Sequence, residues 1–194
     1  PAIEAVGSST EIRRRATSST RSIDLGGRTV IPGLIDSHIH AIRAGLRFGT
    51  EISWIGASTI AEAMARIAAA AKLAGPGQWL VVAGGWTPRQ FKERRLPTRA
   101  ELEAAAGGHP AYVQLFYGAA LLTRQAKKQL GIGSQRDVPP KGRIERDSNG
   151  GETGWISGDA PSITRLYARL PQPTLAQRIE GTKLFFRELN RVGL

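Results

Sequence analysis

His38 and His40 stand one residue apart at the end of the run Val30-Ile31-Pro32-Gly33-Leu34-Ile35-Asp36-Ser37-His38-Ile39-His40. On a strand, alternate residues project to the same side roughly 6.6 Å apart along the backbone, so two imidazoles at this spacing converge on one cation while Ile39 packs the other way. Neutral imidazole is a preferred ligand for zinc and related divalent ions. The competing reading is two strand-end histidines satisfied by backbone groups, and spacing by itself does not separate the two. Asp36 falls on the same face, where its carboxylate could fix a histidine tautomer or simply bond to backbone.

The rest of the sequence narrows the chemistry. With no cysteine among 194 residues, a disulfide framework, a thiolate metal site and a cysteine nucleophile are all excluded, leaving His, Asp, Glu and a modified Lys as ligands. Gly84-Gly85 is followed by neither a G-x-G-x-x-G nor a Gly-Lys-Ser/Thr pattern, so it does not cradle phosphate. No Gly-x-Ser-x-Gly elbow supports serine hydrolysis. Trp86 is a candidate for lining a substrate pocket, its alternative being to cap a buried strand. His109, directly before Pro110, reads as a loop residue rather than a ligand.

The formal charge of +11, from 27 Lys and Arg against 16 Asp and Glu, raises the alternative of a basic module that binds nucleic acid or another anion. The distribution opposes it. Basic residues come as short runs, Arg13 to Arg15, Lys92 to Arg95, Lys127-Lys128 and Arg143 to Arg146, with acids interleaved in the second and fourth. Such runs are usually solvated faces. No apolar run approaches the roughly 20 residues of a membrane span, so no membrane is expected as a partner.

Elements must position these groups. Up to residue 31, Ile3, Val6, Ile12, Ile23, Leu25, Val30 and Ile31 are separated by Ser, Thr and Gly clusters, which predicts short strands, with Gly26-Gly27 as a tight turn between two of them. Pro32-Gly33 redirects the chain. Thr59 with Glu62 forms a capping box before an apolar repeat at Ile60, Met64, Ile67 and Ala71, predicting a helix that Gly75-Pro76-Gly77 ends. Trp79 to Ala83 and Ala111 to Phe116 read as strands buried on both faces. Thr98 with Glu101 opens a second helix through Ala106, and a third is predicted from about Ala119 to Leu130. A hairpin is centred on Asn149-Gly150, and Thr174 with Gln177 opens a last helix to about Val192. Alternating strands and helices after residue 32 predict an α/β architecture with a largely parallel sheet. Residues 133–153 are the expected exposed excursion.

The run Ile23 to His40 resembles the start of the barrel in the metal-dependent amidohydrolase superfamily, where a Pro-Gly follows the small β-sandwich and a His-x-His ends the first barrel strand. Gly84-Gly85-Trp86, Leu96 to Leu102, His109 to Val113 and Leu130-Gly131-Ile132 are similar, in order, to the insertion of the family-3 branch. Where many relatives carry a Gly-His pair and an Asn, this sequence has Tyr117-Gly118 and Thr123.

The resemblance implies that residues 1–31 are strands of a small β-sandwich, and that residues 32–194 hold the first strand of a (β/α)8 TIM-type barrel plus the inserted α/β region. A barrel typically takes about 250 residues, so the expected fold is an incomplete barrel start. Since the chain begins at Pro1 without an initiator Met or a leader, we expect its true start to be missing. The expected whole is a larger cytoplasmic enzyme of which this is the N-terminal portion, inactive alone. His38 and His40 are implied as ligands of a divalent metal, zinc by preference, as one or two ions. The catalytic aspartate and remaining ligands are implied to lie outside this chain. The expected partners are a small-molecule substrate and the remainder of the polypeptide, with a homo-oligomer compatible and nucleic acid not expected. Such an ion activates water and polarises a carbonyl, which would hydrolyse a carbon–nitrogen bond.

Overall fold

The computed structural model describes residues 2–194, which divide into two compact units, Pro1–Ile35 and Asp36–Leu194. Within the first unit, the one helix or strand among the described residues is helix α1, Ser9–Arg13, closed by a capping box between Ser8 and Glu11. The strands expected over residues 1–31 do not form, residue 1 of that span lying outside the described residues. The Gly26-Gly27 turn does form, with φ of +57° and +79°, and the Arg28 N–H donates to the Leu25 carbonyl at 3.2 Å. No ladder extends from it. A lone hairpin is marginal in water unless further strands or a helix cover its apolar face, and here Ile23, Leu25, Val30 and Ile31 all stay exposed.

The second unit is built on one mixed sheet. Helices α2 (Ala41–Phe48) and α3 (Ile60–Leu73) precede strand β1 (Leu80–Val82), and helix α4 (Arg99–Ala106) leads to β2 (Ala111–Leu115). There follow β3 (Ala119–Leu122), α5 (Arg124–Gln129), β4 (Arg143–Arg146), β5 (Glu152–Ser157), α6 (Ala160–Ala168) and α7 (Leu175–Arg191). The strand order is β1-β2-β3-β5-β4.

Only β1 and β2 run parallel; the other three pairings are antiparallel, which corrects the expectation of a largely parallel sheet. The reason lies at Phe116-Tyr117-Gly118, where the Gly118 N–H closes a turn on the Leu115 carbonyl at 3.2 Å. A turn this short joins antiparallel neighbours and leaves no room for a crossover helix. It also corrects the helix predicted from Ala119 to Leu130. Ala119-Ala120-Leu121-Leu122 are good helix formers, but pairing with β2 and β5 holds them as a strand. The helix begins only after Thr123, whose hydroxyl accepts the Ala126 N–H.

Alternate residues of the sheet feed two cores. Leu80, Val82, Ala111, Val113 and Leu121 pack with Ile60, Ile67 and Leu102 of α3 and α4, together with Trp54, Trp86 and Phe91. Val81, Tyr112, Ala120, Leu122 and Ile156 pack on the opposite face with Ala126 and Leu166 of α5 and α6. Burial of β1 and β2 on both faces agrees with their apolar runs, interrupted in β2 by the buried Gln114.

The three expected caps form, at Thr59, Thr98 and Thr174, with one difference. Thr59 accepts the Glu62 N–H, but the Glu62 carboxylate reaches past it to the Ser58 N–H at 2.7 Å. At α4 the box is complete, and Arg95 adds a fork onto Glu101 at 2.6 and 2.9 Å. That guanidinium, then the Thr98 backbone and hydroxyl, hold the Glu101 carboxyl down at about 2 from the usual 4.5, against partial desolvation. A depressed folded-state pKa contributes stability that is present above about 4.5 and lost as pH falls towards about 2. Urea unfolding followed between pH 5 and 2 should therefore show a loss of stability that Arg95→Gln reduces.

Helices α2 and α7 cross at glycines. A Cβ on Gly181 would sit 2.6 Å from the Gly45 carbonyl oxygen, and one on Gly45 would sit 3.0 Å from Thr182 Cα. Phe48 and Phe185 meet edge-on beside the crossing, ring centroids 5.3 Å apart. Overpacking costs about 1–3 kcal/mol, against a gain of about 1 kcal/mol for replacing Gly in a helix. Gly181→Ala is thus expected to lower stability by up to about 2 kcal/mol net, measurable by thermal unfolding.

Candidate metal centre

The segment that carries the two histidines is irregular rather than a strand, bending at Ser37 and His38 before α2 begins. Among the described residues, no strand pairs with the backbone of residues 30–39. The His38 N–H instead donates to Asp36 Oδ1 at 2.9 Å, a local turn of the kind Asp favours. His40 is the residue before α2, and its carbonyl accepts the Ala44 N–H at 2.9 Å.

This bend brings the rings together. Nε2 of His38 lies 3.2 Å from Nε2 of His40, with the ring planes tilted by 49°. Zinc–imidazole bonds are about 2.0–2.1 Å long, so two nitrogens 3.2 Å apart subtend roughly 100° at a shared ion, close to the tetrahedral angle. That separation is compatible with two bonds to one ion. Among the described residues, no group of three or more His, Asp or Glu is arranged to hold one. Asp36 acts on the backbone of His38 and not on either ring.

The other two residues singled out from sequence fall elsewhere. Trp86 is 2% exposed, packs edge-on against Trp54 at 5.0 Å and stacks on Phe91, and its indole N–H donates to the Gln114 carbonyl at 2.8 Å. Of its two candidate roles, its surroundings support packing. His109 bonds through Nδ1 to the Gln78 carbonyl at 3.1 Å, tying its loop to the start of β1. Thr123 is occupied as a cap and also accepts the Ala111 N–H. The basic runs are mostly exposed and partly neutralised, Arg95 by Glu101, Arg143 by Glu145 and Arg146 by Glu152, while Lys127 is buried and paired with Glu152.

His40 also lines a cleft of about 610 Å³ whose other polar walls include Arg43, Arg47, Glu51, Tyr117, Tyr167 and Arg178. The Tyr167 hydroxyl donates to Glu51. Burial pushes the Glu51 carboxyl above its usual range, outweighing that hydrogen bond and the nearby Arg47, and burial likewise raises the Tyr167 phenol. The Arg47 guanidinium sits 4.7 Å over the Tyr167 ring and donates to Gln172 at 2.6 Å. Sequence reading missed this wall. Arg43 and Arg47 are four apart on one helical face just after His40, a usable signal; Tyr167 and Arg178 are distant in sequence and carried none.

The chain belongs to the amidohydrolase family, which it matches over residues 21–194. It is 32% identical over 163 residues to N-substituted formamide deformylase of Arthrobacter pascens, covering 83% of this chain and 30% of that enzyme. It is 31% identical to Protein LONG AFTER FAR-RED 3 of Arabidopsis thaliana, covering 78% and 26% respectively, and 33% identical to imidazolonepropionase of Chloroflexus aggregans, covering 70% and 26%. The chain thus spans less than a third of the length of these relatives. No solved structure matches it. No helix among the described residues is long and apolar enough to cross a membrane.

Proposed function

We propose that His38 and His40 hold a divalent metal ion, zinc by preference, in a hydrolase that cleaves carbon–nitrogen bonds of small molecules other than peptides. The observation that carries this reading is the pair of Nε2 atoms 3.2 Å apart, in a chain of the amidohydrolase family. The relative named for deformylating N-substituted formamides supports a small amide as the substrate class.

A bound ion would supply a water whose pKa falls from 15.7 to about 7, and would polarise a carbonyl. The chain's own residues prepare its seat. Coordination through Nε2 leaves the proton of each ring on Nδ1, and the Asp36 turn fixes the backbone from which His38 projects. The remaining ligands and the aspartate that moves the proton belong, in this reading, to sequence beyond residues 1–194. So do the strands against which Val30 to His40 would pair as the first strand of a barrel. Two ligands alone make a weak site, so the isolated chain should bind metal poorly and turn nothing over.

Elemental analysis of the purified full-length protein after dialysis against metal-free buffer tests the proposal. One or two equivalents of a divalent transition metal are expected; a protein that is active without any would reject it.

A further inference from the structure

Resting on the function proposed above, we infer that the cleft beside His40 seats a carboxylate of the substrate, so that the enzyme acts on an acidic small molecule. The cleft gathers three guanidinium groups, Arg43, Arg47 and Arg178, against a single carboxyl, Glu51. None of the three is in an ion pair among the described residues, although ten such pairs occur elsewhere. Glu51 is the one carboxyl of this wall; it accepts the Tyr167 hydroxyl, and burial raises its pKa above the ordinary carboxylate range.

Two of the arginines are held in place from behind. Arg47 is fixed between the Tyr167 ring and Gln172. Arg178 donates through Nε to the Pro173 carbonyl at 2.9 Å, and its two terminal nitrogens make no hydrogen bond among the described residues. Arg43 makes no side-chain hydrogen bond to the described residues. Guanidinium forks match a carboxylate with two parallel hydrogen bonds, and holding them in advance lowers the entropy lost on binding. Converging like charges repel one another, and an anion between them relieves that repulsion. A volume of about 610 Å³ suits a small molecule. His40 forms part of the same wall, so a ligand anchored by its carboxylate lies in the cleft that borders the proposed ion site.

Calorimetric titration of the purified full-length protein with succinate, and with its neutral analogue succinamide, tests this. Succinate is expected to bind at least about tenfold more tightly than succinamide, and Arg43→Gln and Arg178→Gln each to weaken it about tenfold, the effect of losing one charge-assisted hydrogen bond. Melting temperature and metal content should stay at parental values. Equal binding of the two probes, or succinate binding that survives both substitutions, overturns the inference. If a variant fails to fold, the two-probe comparison on the parent protein decides alone. Indifference between the probes with metal present overturns this inference and leaves the proposed function standing, whereas a parent that is active without metal overturns the proposed function itself.

Discussion

Replacing both histidines, His38→Ala with His40→Ala, is expected to strip the full-length protein of its metal and abolish turnover while leaving its melting temperature nearly unchanged. Both side chains are exposed, and among the described residues their side chains hydrogen-bond to each other alone, so their removal leaves no cavity in the core. Loss of a group that merely orients a ligand typically lowers metal affinity by about 10–100-fold; loss of a ligand itself should exceed that for either single variant. Asp36 provides the internal control. Its role is to accept the His38 N–H, which an amide oxygen can also do, so Asp36→Asn should retain metal while Asp36→Ala loses about tenfold in affinity. Equilibrium dialysis against a chelator of known affinity measures the parent and all of these variants on one scale.

Trp86→Ala is expected to have the largest effect on stability. Removing a fully packed tryptophan costs about 3–5 kcal/mol, here with the loss of its contacts to Trp54 and Phe91 and the stranding of the Gln114 carbonyl. For a chain of this size that corresponds to a fall in Tm of roughly 6–20 °C. A residue that lined the pocket would behave differently, raising KM with little change in Tm. Thermal unfolding and steady-state kinetics on the same preparation separate the two roles. Trp86→Phe should recover part of the stability, since a smaller ring keeps the stack on Phe91 but not the hydrogen bond.

How far the sequence foretold this molecule depended on whether the deciding interaction was local. Caps and turns are written within four residues, and those at Thr98, Thr174, Gly26-Gly27 and Asn149-Gly150 stand where their residue types put them. Strand β1 announced itself as an unbroken apolar run, and β2 as one interrupted by Gln114, because both of their faces are covered. Ala119 to Leu122 did not, because its strand state comes from neighbours on each side and overrides the propensity of its residues. Helix α6, Ala160–Ala168, starts behind an Asp159 cap and a proline, a signal as local as the other caps.

The candidate site divides in the same way. The pairing of His38 with His40 was visible in their spacing, though the geometry that joins them is a bend at residues 37–38 and not a pleated strand. Strand formation from Val30 to His40 requires a partner that residues 2–194 do not provide. The arginine-lined cleft draws on α2, α6, α7 and the turn after β2, so no window of the sequence contains it.

The central claim is that one ion binds both histidines through Nε2. Anomalous diffraction at the zinc absorption edge, from crystals of the zinc-loaded full-length protein, tests it most directly. A single peak about 2.0–2.1 Å from both Nε2 atoms is the expected result. A peak on other residues, with His38 and His40 bonded only to protein or solvent, would contradict the assignment.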